Sequence, residues 1–248
     1  MKTHLLSKKN WQIQFCCALV FFLVICAVQS WTNWDFAFQR LWYNETTKTW
    51  WLTGEEFLAN RWLWYGGVKK AISIFAGFCA FIFLLSFWFQ KIKIWRKCCI
   101  LLLLSLLFVP LLVGLGKKVT NIYCPVLVVE FNGPYEQHRI FEILEGERAL
   151  EPQGGCFPGG HCSGGYALMM LFFALPYPRY RYLGLMIGFT VGSFMGGYQI
   201  VRGDHFLSDT LATITWAWMI NLILVYYIEK YKHKLKLEDS PAIMDFSS

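Results

Sequence analysis

Apolar residues along this chain gather into six runs set apart by polar or aromatic stretches. Five are near full length: about Trp11 to Ser30, Ala71 to Phe89, Cys98 to Gly116, Leu183 to Val201 and Phe206 to Ile228. The other, His161 to about Leu175, is short and is stopped by Pro176 and Pro178, which cannot continue a helix. A helix needs about 20 apolar residues to cross the hydrocarbon core of a bilayer. The pattern therefore predicts an all-α, polytopic membrane protein with six transmembrane helices. Lys2, Lys8 and Lys9 ahead of the first run would also suit a signal peptide. That run has near span length and lacks a convincing small-residue cleavage site, so it is read as the first span.

The interruptions differ in character. Residues 31–70 hold seven of the twelve tryptophans, Trp31, Trp34, Trp42, Trp50, Trp51, Trp62 and Trp64, which suits an interfacial loop in the headgroup region; a substrate lid is the alternative. Asn44-Glu-Thr46 fits a glycosylation sequon, a pattern common by chance. Residues 117–160 form a polar loop with six glutamates that ends in the turn-rich Gln153-Gly-Gly-Cys-Phe-Pro-Gly-Gly160. Residues 229–248 form a basic, then polar, tail. With no internal repeat, residues 1–248 are read as one membrane-embedded domain.

Composition agrees. Of 248 residues, 56% are hydrophobic and only 16% charged, too much apolar side chain for an ordinary soluble domain. The net charge of +7 comes from clusters beside the apolar runs and not from one basic stripe, which argues for topology signals and against nucleic acid. Six spans put both termini on one side, and that side carries 13 Lys or Arg against 4 Asp or Glu. By the positive-inside rule the termini and tail are cytoplasmic, and both long loops are outer. The nine cysteines form no CxxC pair or zinc-ligand pattern, and most lie in or beside apolar runs.

Candidate chemistry falls on the outer side. Arg202, Asp204, His205 and Asp209 lie within eight positions between two apolar runs, and ionisable groups at a membrane edge are read as a site. On a helix His205 and Asp209 stand one turn apart, so the carboxylate can fix the imidazole tautomer and leave the other nitrogen free to attack. Phe157-Pro-Gly-Gly-His161 lets backbone approach a ligand and starts a run whose free amides can face an anion. Lys117 and Lys118 end the third run, as interfacial anchors or as a phosphate contact. Two histidines, a carboxylate and cations suit phosphoryl transfer: one histidine attacks and the other protonates the leaving oxygen. A divalent metal on the histidines with Asp204 or Asp209 is the chemical competitor; the neighbouring cations count against it.

The order Lys117-x6-Cys124-Pro125, Pro158-Gly-Gly-His161 and Arg202-x2-His205-x3-Asp209 resembles the three signature motifs of the type 2 phosphatidic acid phosphatase superfamily, over roughly Gly116 to Ile228. The resemblance implies a helical core similar to vanadium haloperoxidases, no metal, and a lipid substrate. It also implies His205 as nucleophile, Asp209 to orient it, His161 as proton donor, Gly159 and Gly160 as backbone contacts, and Lys117, or Lys118 one register on, at the phosphate. Three positions depart from the family pattern. Cys124 stands where the first motif has arginine, Gly159 where the second has serine, and Gln199 where the third has arginine; Arg202 lies half-way to His205. Cys124 and Cys156 flank the outer loop, where a disulfide would pin Lys117 near His161; two free thiols are the alternative. The reading is a membrane lipid phosphatase, of a bacterial inner membrane, acting on a phosphate monoester or pyrophosphate. A non-catalytic lipid-binding or lipid-transporting protein on the same scaffold is the rival.

Overall fold

A computed structural model describes residues 6–52, 66–140, 142, 151–235, 237 and 243–245 of the chain. Trp62 and Trp64 fall in residues 53–65, which, with residues 143–150 of the second loop and most of 236–248 in the tail, lie outside the described residues. Helix α1 (Lys8–Trp31) starts where the Ser7 hydroxyl accepts the Asn10 amide at 3.1 Å, the side-chain cap that helix starts favour. A short α2 (Trp34–Gln39) follows, then a hairpin of β2 (Tyr43–Asn44) and β3 (Thr49–Trp50). Ahead of α1, β1 (Leu6–Ser7) pairs in parallel with β4 (Met244–Asp245) near the other end of the chain.

The bundle is completed by α3 (Gly67–Leu85), α4 (Arg96–Thr120), α5 (Gly160–Ala167), α6 (Leu171–Ala174), α7 (Arg181–Val201) and α8 (Leu207–Tyr231). Helices α1, α3, α4, α7 and α8 are long and apolar enough to cross a membrane. The short fourth run is a broken helix: α5 and α6 are joined by a 3-10 turn at Leu168–Met170. Six runs thus give five long helices and one interrupted one. The third is longer than its apolar run, continuing through Lys117 and Lys118 until Asn121 adopts a left-handed conformation (φ 52°) and ends it.

Helix α8 is central. It packs on α1, α4 and α5, and 56% of its span is buried, against 6% for α3 at the edge. Some polar groups inside the bundle are tied to one another, which offsets the cost of withdrawing them from water. Ser105 Oγ lies 2.6 Å from Asn221 Oδ1 and 2.9 Å from the Ala167 carbonyl. At the opposite end of the bundle from His161 and His205, Lys97 Nζ donates to buried Glu229 at 2.8 Å.

The described part of the Trp-rich segment packs onto the bundle. Trp31, Trp34 and Trp51 are exposed, whereas Tyr43 and Trp50 are buried with Phe131 and Phe206. Asn44 Oδ1 accepts the amides of Thr46 and Thr47, so the sequon forms the exposed tip of the hairpin.

Helices α5 and α7 meet at glycines because no side chain fits between them. A Cβ on Gly192 would lie 2.2 Å from the Tyr166 ring, and one on Gly188 would lie 2.3 Å from the Met169 amide nitrogen. On the same helix, a Cβ on Gly197 would meet nothing within 4 Å. Gly192→Ala is expected to destabilise the detergent-solubilised protein by about 1–3 kcal/mol through overpacking. Gly197→Ala is expected to be neutral or stabilising by up to about 1 kcal/mol, since alanine is the better helix former. Thermal unfolding of both variants checks the contrast.

Candidate active site

Three separated stretches converge at one end of the bundle, and local backbone chemistry explains how. Asn121 at the end of α4 turns its Oδ1 onto the Gly154 amide at 2.6 Å, and the Cys156 amide donates to the Ile122 carbonyl at 2.9 Å. Thr120 Oγ1 donates to the Phe157 carbonyl, and Cys124 and Cys156 are joined in a disulfide. The second stretch is thereby laid along the first. It is tied to α8 in turn: the Gly159 amide donates to the Asp209 carbonyl at 2.9 Å, and Thr213 Oγ1 donates to the Gly159 carbonyl at 2.9 Å.

The two histidines meet here. His161 Nδ1 lies 2.8 Å from His205 Nε2, and His205 Nδ1 lies 3.1 Å from Asp209 Oδ2. Asp209 is fully buried, and the same Oδ2 accepts the Phe206 amide at 2.8 Å, half of a capping box at the start of α8. The carboxylate acts as acceptor, so His205 carries its proton on Nδ1 and presents a lone pair at Nε2. It follows that the proton in the His161 contact sits on His161 Nδ1. Burial, reinforced by the positive charge of Lys117 and opposed by Asp204, pushes the His205 imidazole well below its ordinary pKa. The ring is neutral at physiological pH, as a nitrogen nucleophile requires.

The five candidate phosphate contacts, Lys117, Lys118, Arg202, Gly159 and Gly160, divide sharply. Lys117 enters the site: its Nζ donates to the Gly155 carbonyl at 2.6 Å, and its chain covers Gly160, where a Cβ would lie 2.7 Å from Lys117 Cε. A side chain at Gly160 would push aside the flexible end of Lys117, so the glycine leaves room for the lysine in this position. Lys118 is exposed, and its backbone carbonyl accepts from Gln153 Nε2 at 2.7 Å. Arg202 turns to Asp204 at 3.5 Å and to the face of Tyr198 at 5.5 Å; among the described residues no hydrogen bond or ion pair joins it to either histidine. Gln199 is buried, and its side-chain oxygen has no hydrogen-bond partner among the described residues. Cys156 Sγ lies 3.1 Å from His205 Nδ1, so the disulfide packs directly on the histidine.

Cys124, Cys156 and His205 also form the group whose ligand atoms are near enough together to hold a metal ion. The two sulfurs are bonded to each other and are not thiolates, which is the form a metal takes. Beside His161 a cavity of about 330 Å³ opens between α3, α4, α5 and α7, lined by Lys69, Ile72, Ser73, Pro110, Gly160 and Met195 among others. A second, apolar cavity of about 400 Å³ lies further along α3 and α4, against Phe75, Phe78, Ile82, Trp95 and Leu102.

Several supporting residues had no mark in the sequence reading. Thr120, Asn121 and Thr213 hold the motif backbones together, and of these only Asn121 carries a local signal, as a helix-ending residue before a turn-rich stretch. Gln39 and Asp35, from the Trp-rich segment, reach the third stretch from more than 160 positions away.

With this geometry in view, the comparisons with known proteins are specific. The sequence matches the PAP2 superfamily over residues 98–233, which contain all three motifs. A search of curated proteins finds no match. Among solved structures, the chain is similar to the crystal structure of a transmembrane PAP2-type phosphatidylglycerolphosphate phosphatase from Bacillus subtilis. The two are 17% identical with a TM-score of 0.56, covering 88% of this chain and 96% of that one, a likeness of fold. With more than half its length matched and its motif residues gathered at one end of a membrane bundle, the chain belongs to the PAP2 superfamily and is an integral membrane protein of phosphatase type.

Proposed function

We propose that this protein hydrolyses a phosphate monoester or pyrophosphate of a membrane lipid through a phosphohistidine on His205. The observation that carries the proposal is the relay Asp209 Oδ2, His205 Nδ1, His205 Nε2, His161 Nδ1, with contacts of 3.1 and 2.8 Å. In the first step the His205 Nε2 lone pair forms a bond to phosphorus as the bond from phosphorus to the lipid oxygen breaks. His161, which acts as imidazolium with protons on both ring nitrogens, gives the Nδ1 proton to that oxygen and becomes neutral. In the second step water attacks the phosphorus, the P–N bond breaks, and the water proton returns to His161, releasing phosphate. Substrate entry must first part the two rings.

Lys117 and the free first-turn amides of α5 are suited to the phosphoryl oxygens. Asp209 keeps the tautomer and offsets the charge that His205 gains. The cavity beside His161 and a separate apolar cavity both lie along α3, and Ile72 to Ile82 span about 15 Å of helix, a length that suits a hydrocarbon chain leading away from the reacting group. Phosphatidylglycerol phosphate, the substrate class named for the Bacillus subtilis structure, is one candidate; phosphatidic acid, lipid A and undecaprenyl pyrophosphate are others implied by the family. The charge asymmetry supports cytoplasmic termini and a site on the outer face.

Cys124 and Gln199, where the family pattern has arginines, favour a second reading: a lipid-binding or lipid-transporting protein without catalysis. Phosphate release from a panel of phospholipids and lipid pyrophosphates, with EDTA present, separates the two. His205→Ala is expected to abolish release, and His161→Ala to lower kcat by about 10²–10⁴-fold, the range for a general acid. Equal release by wild type and His205→Ala, or none by either across the panel, would favour the binding reading. In the same assay Lys117→Ala is expected to cost about 10²–10³-fold, as loss of one oxyanion contact does, while exposed Lys118→Ala stays within about twofold of wild type.

A further inference from the structure

The start of α8 lacks the residue type that usually caps a helix. Its N-cap position is Phe206, which has no side-chain acceptor, and α8 begins with four amides that need partners. Asp209 takes the Phe206 amide. The Ser208 amide donates at 3.0 Å to Asp35 Oδ1, a carboxylate 173 positions earlier in the chain. Asp35 is 6% exposed, and its second oxygen, Oδ2, is buried with no hydrogen-bond partner among the described residues.

The rest of the segment grips the same loop. Gln39 Nε2 donates to the Ile200 carbonyl at 2.6 Å, and Phe36 meets Phe206 edge-on at 5.4 Å. Trp50 lies against Gly203, which has φ +75° and where a Cβ would come within 2.3 Å of the indole. Residues 200–208, which carry His205, are therefore clasped by residues 35–50, and none of the clasping residues falls within the 98–233 stretch that matches the family.

We propose that Asp35 is a positioning residue for the phosphoryl-transfer site: it caps α8 from the Trp-rich segment and so fixes Asp209 and His205 in line with His161. The proposal rests on the catalytic reading above. Asp35 touches neither histidine. It acts through the Ser208 amide on the turn that presents Asp209 Oδ2 to His205 Nδ1. The carboxylate also borders a polar cavity of about 140 Å³ lined by Asn33, Glu130, Gln137, His138 and Arg139. Burial, with repulsion from Asp209, raises Asp35 to about 6, so at pH 7.5 it is ionised and its bond to Ser208 is charge-assisted.

The test pairs Asp35→Ala with Asp35→Asn, purified and assayed at pH 7.5 on the lipid that the wild type hydrolyses. Hydrogen–deuterium exchange of the peptide covering residues 203–210 is measured on the same samples. Expected are a kcat loss of tenfold or more in Asp35→Ala with KM within twofold, substantial recovery in Asp35→Asn, which keeps an acceptor oxygen, and faster exchange confined to Asp35→Ala. A kcat within twofold of wild type in Asp35→Ala, or a loss seen only in KM, would overturn the proposal. If Asp35→Ala does not fold, Asp35→Leu, which keeps side-chain bulk but removes the acceptor, decides: a kcat tenfold or more lower at unchanged KM supports the role, and wild-type kinetics and exchange overturn it. A wild type without activity, combined with faster exchange in Asp35→Ala, keeps the cap and overturns the phosphatase reading instead.

Discussion

A carboxylate buried at the first turn of a membrane helix is the constraint on which this site depends. Asp209 is withdrawn from water, and donors to its oxygens offset the cost of burial; its Oδ1 has no hydrogen-bond partner among the described residues, so Oδ2 carries that role. The Phe206 amide and the His205 ring meet one oxygen. Those two bonds fix the start of α8, the tautomer of His205 and the direction of its free lone pair together. The chemistry and the helix start are one arrangement, so neither can be altered alone.

The surroundings are built to keep that arrangement still. The Gly159 backbone is held to α8 through both its amide and its carbonyl, and the disulfide at Cys156 packs on the far side of the histidine. Lys117 comes in over Gly160 because that residue has no side chain. A PAP2 site normally described by three motifs is here also held by a fourth stretch, residues 35–50, which closes over the loop carrying His205. The arginine positions occupied by Cys124 and Gln199 leave the site with fewer charges, and Lys117 with backbone amides is what remains to meet an anion.

Much of the fold was legible because hydrophobic runs of span length have few alternatives. Five of the six runs are long helices, and the short run at 161–175 is the one that breaks. The histidines and Asp209 were legible for a related reason: ionisable residues are costly beside apolar runs, and an i, i+4 spacing from His205 to Asp209 has a direct geometric meaning. Two things were not legible. Lys117 and Lys118 are neighbours at a helix end, and only the helix phase, set by packing, decides which one turns inward. Asp35 is one acidic residue in an aromatic segment, and no local pattern reveals that it caps a helix 173 positions away. Arg202 illustrates the opposite case. Its position invited a substitute role for the missing arginine, but Asp204 and Tyr198 are nearer partners.

The central claim is that His205 becomes phosphorylated. The most direct test is a rapid-quench reaction of the purified protein with a lipid substrate labelled in its phosphoryl group, followed by alkaline digestion and peptide mapping. Alkali-stable, acid-labile label on the peptide containing His205, absent from His205→Ala, is the predicted result. Hydrolysis that proceeds with no label on that peptide at any quench time, or that continues in His205→Ala, would contradict it.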